Sequence, residues 1–229
     1  MKKLIVESLA WDTEFFCFPV GKVLIPSGSE SYKLSSIIPL TGDYRVAYVI
    51  SPFPLINDIQ VFEDEKVILE NTLFVVPDDI SEHIDRADNK SYRDLMPLAL
   101  ASGVFSRFLL DLHFKPYYEA LYKTWLERSL TREIADEVLV YQTDGCKCGF
   151  VTLKKVNKKI EIGLIAIDEH YRGQGIGSAL MKAVYFYASM HGYKTVRVAT
   201  QRRNMDALKF YHKNGFQEVE NSFIYNLWR

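Results

Sequence analysis

Apolar residues recur at the spacing of an α-helix in four stretches of the chain. Residues 92–104 and 117–130 predict two helices, the second with Tyr118, Leu121, Tyr122, Trp125 and Leu126 on one side. A third stripe runs from Ile176 to Ala188. A shorter helix is predicted over residues 204–213, because Asn204 is a good N-cap and Gly215 is placed to end it.

Between these helices lie shorter apolar runs that predict β-strands. Residues 138–141 and 150–153 flank Thr143-Asp144-Gly145, and Asp-Gly between two apolar runs is a strong signal for a hairpin with a type I′ turn. Further strands are predicted at residues 160–167, 195–200 and 223–228. Strands that alternate with helices in this way indicate a mixed α/β sheet.

The first third of the chain has a different character. Six of the eight prolines fall in residues 1–78, which predicts short strands and loops rather than long helices. The same residues carry six basic and eleven acidic side chains, whereas residues 79–229 have an excess of basic ones. A boundary at Pro77-Asp78-Asp79 therefore divides the chain into a small N-terminal domain, residues 1–78, and a larger domain, residues 79–229.

Composition excludes several classes of function. The net charge of −1 is unlike that of a nucleic-acid-binding protein, which needs an excess of Lys and Arg. No segment approaches the roughly 20 apolar residues of a membrane-spanning helix. Three cysteines do not form a disulfide framework, which favours a reducing, cytoplasmic location. The histidines match no metal-binding spacing, so we expect no metal.

The most informative segment is glycine-rich and runs from Asp168 to Ser178, between a predicted buried strand and an amphipathic helix. Backbone N–H groups at such a helix start, together with the helix dipole, form a site for an anion such as a pyrophosphate. The Gly-Lys-Ser/Thr ending of a P-loop is missing. A dinucleotide-binding fingerprint would need a glycine where Ser178 stands.

The pattern Arg172-x-x-Gly175-x-Gly177 resembles the pyrophosphate loop of the GNAT superfamily of acetyl-CoA-dependent N-acetyltransferases. A second block, Asn204-x-x-Ala207-x-x-Phe210-Tyr211-x-x-x-Gly215-Phe216, is similar to another motif of this family. The resemblance covers roughly residues 80–229. It implies an α/β (α+β) GNAT fold, in which a mixed, mostly antiparallel sheet contains a splayed parallel strand pair. It also implies acetyl-CoA as co-substrate.

The resemblance assigns residues to the acetyl-CoA site. The pantetheine arm would lie in the gap between the splayed strands, with an oxyanion donor among the backbone N–H groups of residues 164–167. Asn204 would contact the pantetheine or pyrophosphate arm, and Tyr211 would be the acid that protonates the leaving thiolate. An unperturbed phenol has a pKa of about 10, near that of an alkyl thiol, which suits such a transfer. The expected cofactor-binding residues are Leu164, Ile165, Ala166, Ile167, Arg172, Gly173, Gln174, Gly175, Ile176, Gly177, Ser178, Asn204 and Tyr211.

Shorter strings, including Leu9-Ala10-Trp11-Asp12 and the C-terminal Tyr-x-Leu-Trp-Arg, resemble acetyltransferases of nucleotide-linked amino sugars in cell-surface polysaccharide biosynthesis. This narrower resemblance implies the 4-amine of a TDP-linked 4-amino-4,6-dideoxygalactose as acceptor. It gives Glu70 as a general base acting through water, while Arg107 and Thr200 are expected to contact the acceptor.

Alternative interpretations remain open for the acceptor, for the activity and for the roles of several residues. The acceptor could be another small amine, an amino acid or a protein N-terminus, and the chain could be a non-catalytic CoA-binding domain. Tyr211 could be a core aromatic, Glu70 a solvated strand residue, and Arg107 a structural residue of the helix pair. A homodimer is possible.

Overall fold

The computed structural model describes residues 4–28, 32–72 and 74–229. These residues form six α-helices, separated in places by single turns of 3-10 helix. The helices are α1 (Ala10–Phe16), α2 (Tyr92–Ser102), α3 (Arg107–Leu110), α4 (Tyr118–Leu130), α5 (Ile176–Met190) and α6 (Met205–Lys213).

Ten β-strands are present in the same part of the chain. They are β1 (Val6–Ser8), β2 (Val20–Leu24), β3 (Val46–Ser51), β4 (Glu63–Asn71), β5 (Ile84–Arg86), β6 (Glu137–Thr143), β7 (Cys146–Val156), β8 (Lys159–Ile167), β9 (Val196–Gln201) and β10 (Gln217–Trp228).

The chain forms two compact units, and neither is one continuous segment. The first unit comprises residues 1–67, 201–203 and 220–229, and the second comprises residues 68–200 and 204–219. In the first, strand order is β1-β2-β3-β10-β4; in the second it is β4-β9-β8-β7-β6-β5.

The first unit is built around β3, which pairs in parallel with β2 and antiparallel with β10. Its buried core includes Val23, Leu34, Ile37, Val49 and Tyr225. Because β10 is a partner of β3, the C-terminal residues complete this unit. The boundary predicted at residue 78 assigns the C-terminal strand to the second domain. The compact units instead divide between residues 67 and 68, and residues 220–229 belong to the first unit.

In the second unit, helices cover both faces of the sheet. One face packs against α2 and α4 in a cluster that includes Leu95, Leu126 and Phe150. The other packs against α5, because a Cβ added to Gly149 of β7 would lie 3.1 Å from both Ile176 Cγ2 and Leu180 Cδ1. These are called the α2 face and the α5 face below.

The predicted α/β fold with a mixed sheet is confirmed: β8 and β9 pair in parallel, whereas β6, β7 and β8 pair antiparallel. The predicted hairpin lies between β6 and β7, and Asp144 and Gly145 have φ values of 50° and 77°. Positive φ at both positions is what a type I′ turn requires. In the part of the chain that the structure describes, no helix is long and apolar enough for a membrane span.

Candidate active site

The parallel strands β8 and β9 pair over only part of their length. Their register joins Ile160 to Val196, Glu161 to Arg197 and Ile162 to Val198. Strand β8 then continues to Ile167 and β9 to Gln201 without further pairing between them. The strands therefore separate after Ile162 and Val198, which confirms the predicted splayed pair.

A β-bulge in β8 lies where the gap begins. Val151 of β7 pairs with Ile165, whereas Leu153 pairs with Ile162, so Gly163 and Leu164 together oppose Thr152. The Leu164 N–H donates to the Thr152 hydroxyl at 2.8 Å. A Cβ at Gly163 would approach the same oxygen to 2.8 Å, and this explains why glycine occupies the bulge.

The bulge fixes which backbone groups of β8 face the gap. The Asp168 N–H donates to the Cys148 carbonyl at 2.8 Å, toward β7. Backbone N–H groups point to alternate sides along a strand, so those of Leu164 and Ala166 also point to β7, while those of Ile165 and Ile167 point into the gap. Of the residues 164–167 in which an oxyanion donor is predicted, only Ile165 and Ile167 therefore have an N–H in the gap.

The glycine-rich loop ends in a helix start that no side chain caps. Gly175 is the N-cap of α5, with φ of 83°, and Gly173 has φ of 77°. The Ala179 N–H donates to the Gly175 carbonyl at 3.0 Å. The earlier N–H groups of Ile176, Gly177 and Ser178 have no acceptor within the helix. A Cβ at Gly173 or Gly175 would meet no atom within 4 Å, so the loop surface is open.

Other contacts fix the loop against the end of β8. The Arg172 Nε donates to the Ile167 carbonyl at 3.3 Å, and the Gln174 amide donates to the His170 carbonyl at 3.3 Å. A Cβ at Gly177 would lie 2.7 Å from the Phe210 ring of α6 and 3.0 Å from Ile167 Cδ1. Gly177 therefore allows α5, α6 and the end of β8 to meet. This places the two sequence motifs beside each other.

Asn204 caps α6, as its sequence position predicts. Its side-chain oxygen accepts a hydrogen bond from the Ala207 N–H at 3.2 Å. A cap of this kind stabilises a helix by roughly 1 kcal/mol.

Tyr211 is almost completely buried in α6, and its ring lies 5.4 Å from that of Phe210 and 5.5 Å from that of Phe216. Burial raises the pKa of the Tyr211 phenol well above its usual value near 10. The phenol therefore stays protonated at neutral pH. However, its pKa is less closely matched to that of a thiol than the sequence argument assumed.

Glu70 in β4 has two cationic partners that the sequence did not reveal. Its Oε1 lies 2.6 Å from the Lys159 Nζ of β8 and 3.6 Å from the Arg197 Nη1 of β9. The carboxylate is thus engaged beside the paired ends of the splayed strands. Because these partners are distant in sequence, only the fold brings them together. Glu70 as a general base stays a prediction.

The two residues expected to contact the acceptor lie on separate elements. Arg107 is at the start of α3, with its guanidinium carbon 4.7 Å from the centre of the Phe108 ring. Thr200 is buried in β9. Their roles stay predictions. Among the described residues, no group of three or more His, Cys, Asp or Glu side chains could hold a metal ion.

Comparison with known proteins supports the same family. Residues 105–216 match the family model described as the acetyltransferase (GNAT) family. The chain is 29% identical over 126 residues to an uncharacterised N-acetyltransferase of Methanocaldococcus jannaschii, covering 48% of this chain and 56% of that protein. It is 32% identical over 123 residues to the dTDP-fucosamine acetyltransferase of Escherichia coli O6:H1, covering 53% and 52%. The matched region thus spans about half the length of these relatives.

A solved acetyltransferase of the GNAT family from Colwellia psychrerythraea superimposes with a TM-score of 0.58 at 13% identity, covering 93% of this chain and 80% of that one. At this identity the likeness shows the fold alone. The family match covers residues 105–216, just under half of the chain, and the fold is that of solved GNAT acetyltransferases.

Proposed function

We propose that this protein is an acetyl-CoA-dependent N-acetyltransferase whose acceptor is the primary amine of a nucleotide-linked amino-deoxy sugar. One observation carries the proposal: the gap between β8 and β9 opens beside the uncapped start of α5. This combines an anion site with unpaired strand edges, which suits a long ligand that has a diphosphate at one end and amide groups along its arm.

The residues present fit acetyl-CoA. The N–H groups of Ile176, Gly177 and Ser178 would hold the pyrophosphate, with the Arg172 side chain nearby at the end of β8. Gly173 and Gly175 leave the loop open for close approach. When bound, acetyl-CoA supplies an acetyl group activated as a thioester.

The chain's own groups would then perform two tasks. An N–H of Ile165 or Ile167, facing the gap, would stabilise negative charge on the carbonyl oxygen. Tyr211 carries a proton at its phenol at neutral pH and would give that proton to the leaving sulfur, although burial raises its pKa above that of a thiol and so opposes this transfer. Asn204 fixes the start of the helix that carries Tyr211.

The choice of acceptor is supported by the likeness to the dTDP-fucosamine acetyltransferase of Escherichia coli and by the shared short strings described above. Glu70, Arg107 and Thr200 stay candidates for acceptor activation or contact.

The test has two parts. CoA binding is measured by isothermal titration calorimetry, and CoA release from acetyl-CoA is followed with a panel of amines. The panel contains dTDP-4-amino-4,6-dideoxygalactose, an aminoglycoside, free amino acids and a short peptide with a free N-terminus. We expect CoA to bind, and release to be fastest with the nucleotide sugar. If another amine is preferred, the proposed acceptor is wrong. If no amine causes release of CoA from acetyl-CoA, the proposal that the protein is an N-acetyltransferase is wrong.

A further inference from the structure

A cavity of about 500 Å³ lies in the second unit, between the neighbouring strands β5 and β6 and helix α5. Ile84 of β5 and Leu139 of β6 line its sheet side. Ile84 pairs with Tyr141, which pairs in turn with Gly149 of the α5 face, so the cavity lies on this face as well. Its volume is in the range of small-molecule sites, which is roughly 300–1,000 Å³.

The opposite wall of the cavity is the C-terminal half of α5. Residues three or four positions apart share one side of a helix, and four such residues line the cavity: Ala183, Phe186, Tyr187 and Met190. Ala183 is buried and Met190 is 69% exposed, so an apolar surface leads from the interior to the outside. At 1.5 Å per residue, these residues lie roughly 10–21 Å along the helix from Ile176, where the proposed pyrophosphate site begins. The cavity is therefore separate from that site.

The outward N–H groups of β5, beside the cavity, are already engaged. The Ala87 N–H donates to a carbonyl of β6 at 2.9 Å, so by alternation the N–H groups of Ile84 and Arg86 point away from β6. The Ile84 N–H donates to the Ser81 carbonyl at 2.9 Å. The Arg86 N–H donates to the Asp85 Oδ1 at 2.7 Å. A peptide that adds a strand to this edge would find these donors occupied, which favours a small molecule as the occupant.

Arg86 brings a positive charge to the cavity. Its Nε lies 3.2 Å from the Glu137 Oε2, while the Oε1 of the same carboxylate lies 2.7 Å from the Arg132 Nη2, so two guanidinium groups share one buried carboxylate. Asp85 pairs with Val140 of the α2-face core, which puts the Asp85 side chain on the other face of the sheet. In the described part of the chain, Nη1 and Nη2 of Arg86 have no acceptor. One edge of this guanidinium is therefore left for a ligand.

We propose that this cavity binds a small amphiphilic carboxylate, with its apolar body between α5 and the β5–β6 strands and its carboxylate on the Arg86 guanidinium. A planar guanidinium can donate two parallel hydrogen bonds to a carboxylate, and such charge-assisted bonds are strong. The apolar walls suit a single-headed acid with a chain or ring rather than a polyanionic nucleotide. The inference goes beyond the proposed function and does not depend on it, because the cavity shares no residue with the acetyl-CoA site.

The experiment titrates the full chain with decanoate by calorimetry, with and without saturating CoA. Decyltrimethylammonium, which has the same chain and the opposite charge, is the ligand control. We expect one decanoate to bind per chain, whether or not CoA is present, and the ammonium to bind roughly tenfold or more weakly. Arg86→Gln should weaken decanoate binding by roughly tenfold or more, the size of a lost charge-assisted contact, and should leave CoA affinity unchanged. Arg93→Gln, which makes the same change on the exposed surface of α2, should match the wild type.

Several results would overturn the inference. These are no saturable binding of decanoate, equal binding of the two probes, or unchanged binding in Arg86→Gln. Displacement of decanoate by CoA would also overturn it, because the probe would then occupy the acetyl-CoA site. If light scattering shows a dimer that Met190→Lys dissociates, a second copy covers the cavity and the inference is wrong.

A second variant keeps the test decisive if Arg86→Gln does not fold. Ile80 lies in the loop before β5, lines the cavity and is partly exposed, so Ile80→Glu should be tolerated. The new carboxylate should repel the acid, so decanoate binding should weaken by roughly tenfold, whereas binding of decyltrimethylammonium should not weaken. Unchanged decanoate binding in Ile80→Glu would show that the acid does not occupy this cavity.

Discussion

The hydroxyl of Thr152 accepts the N–H that the β8 bulge displaces, and Thr152→Val tests whether this contact maintains the bulge beside the gap. The hydroxyl accepts the Leu164 N–H at 2.8 Å within a buried part of the sheet, and valine keeps nearly the same shape while removing the acceptor. A buried N–H without a partner costs about 1–3 kcal/mol. We therefore expect Thr152→Val to lower the free energy of unfolding of the domain by about that amount.

The same substitution should weaken CoA binding. The extra residue of the bulge places Ile165 and Ile167 with their N–H groups toward the gap. A strand that slips by one residue to recover a ladder bond for Leu164 would reverse this arrangement. If the bulge relaxes in this way, CoA affinity should fall by more than the loss of stability alone predicts.

The assay combines urea unfolding, followed by circular dichroism, with calorimetric titration of CoA. Thr152→Ser is the matched control, because it keeps the hydroxyl and removes only a methyl group, which costs roughly 0.5–1.5 kcal/mol. It should retain CoA affinity. If Thr152→Val is as stable as Thr152→Ser and binds CoA equally well, the hydroxyl does not maintain the bulge.

Three further predictions concern the groups around the gap. Ile167→Pro removes an N–H that faces the gap, so calorimetry should show lost CoA affinity in a folded protein, whereas Ile167→Val should bind normally. Tyr211→Phe should keep the melting temperature within a few degrees and lose most of kcat; unchanged turnover would refute its role as the acid. Burial raises the pKa of Tyr211, so the contribution of this residue to stability should be constant below about pH 10 and fall above it, where the unfolded chain releases the phenolic proton first. Urea midpoints from pH 8 to 11 measure this fall, which should be smaller in Tyr211→Phe.

The elements of the second unit follow closely from the sequence because their signals are local. The Asp144-Gly145 turn, the Asn204 cap and the apolar stripe of α5 each depend on residues a few positions apart. The glycine loop is equally local, since its φ values and open surface are properties of adjacent residues. Short-range patterns of this kind can be read before any tertiary contact is known.

What the sequence does not show depends on distant partners. Strand β4 begins with four consecutive charged residues, Glu63 to Lys66, and its position was not predicted from the sequence. Its Glu70 meets Lys159 and Arg197 only after three strands have assembled. The C-terminal strand joins β3 because of pairing across most of the chain length. Gly163 within an apolar run was the one available signal of the bulge, since an isolated glycine in a strand often marks one.

The paired and open parts of β8 and β9 impose opposite requirements on adjacent residues. Before Gly163 the strands must stay together, and the carboxylate of Glu70 beside Lys159 and Arg197 brings β4, β8 and β9 together at that end. After Gly163 they must stay apart, and the Thr152 hydroxyl satisfies the N–H that the bulge displaces. If both devices act as described, Glu70→Gln should loosen the paired end without removing any group from the gap. The loss of turnover would then follow a loss of stability, whereas loss of a general base would lower kcat in a protein as stable as the wild type.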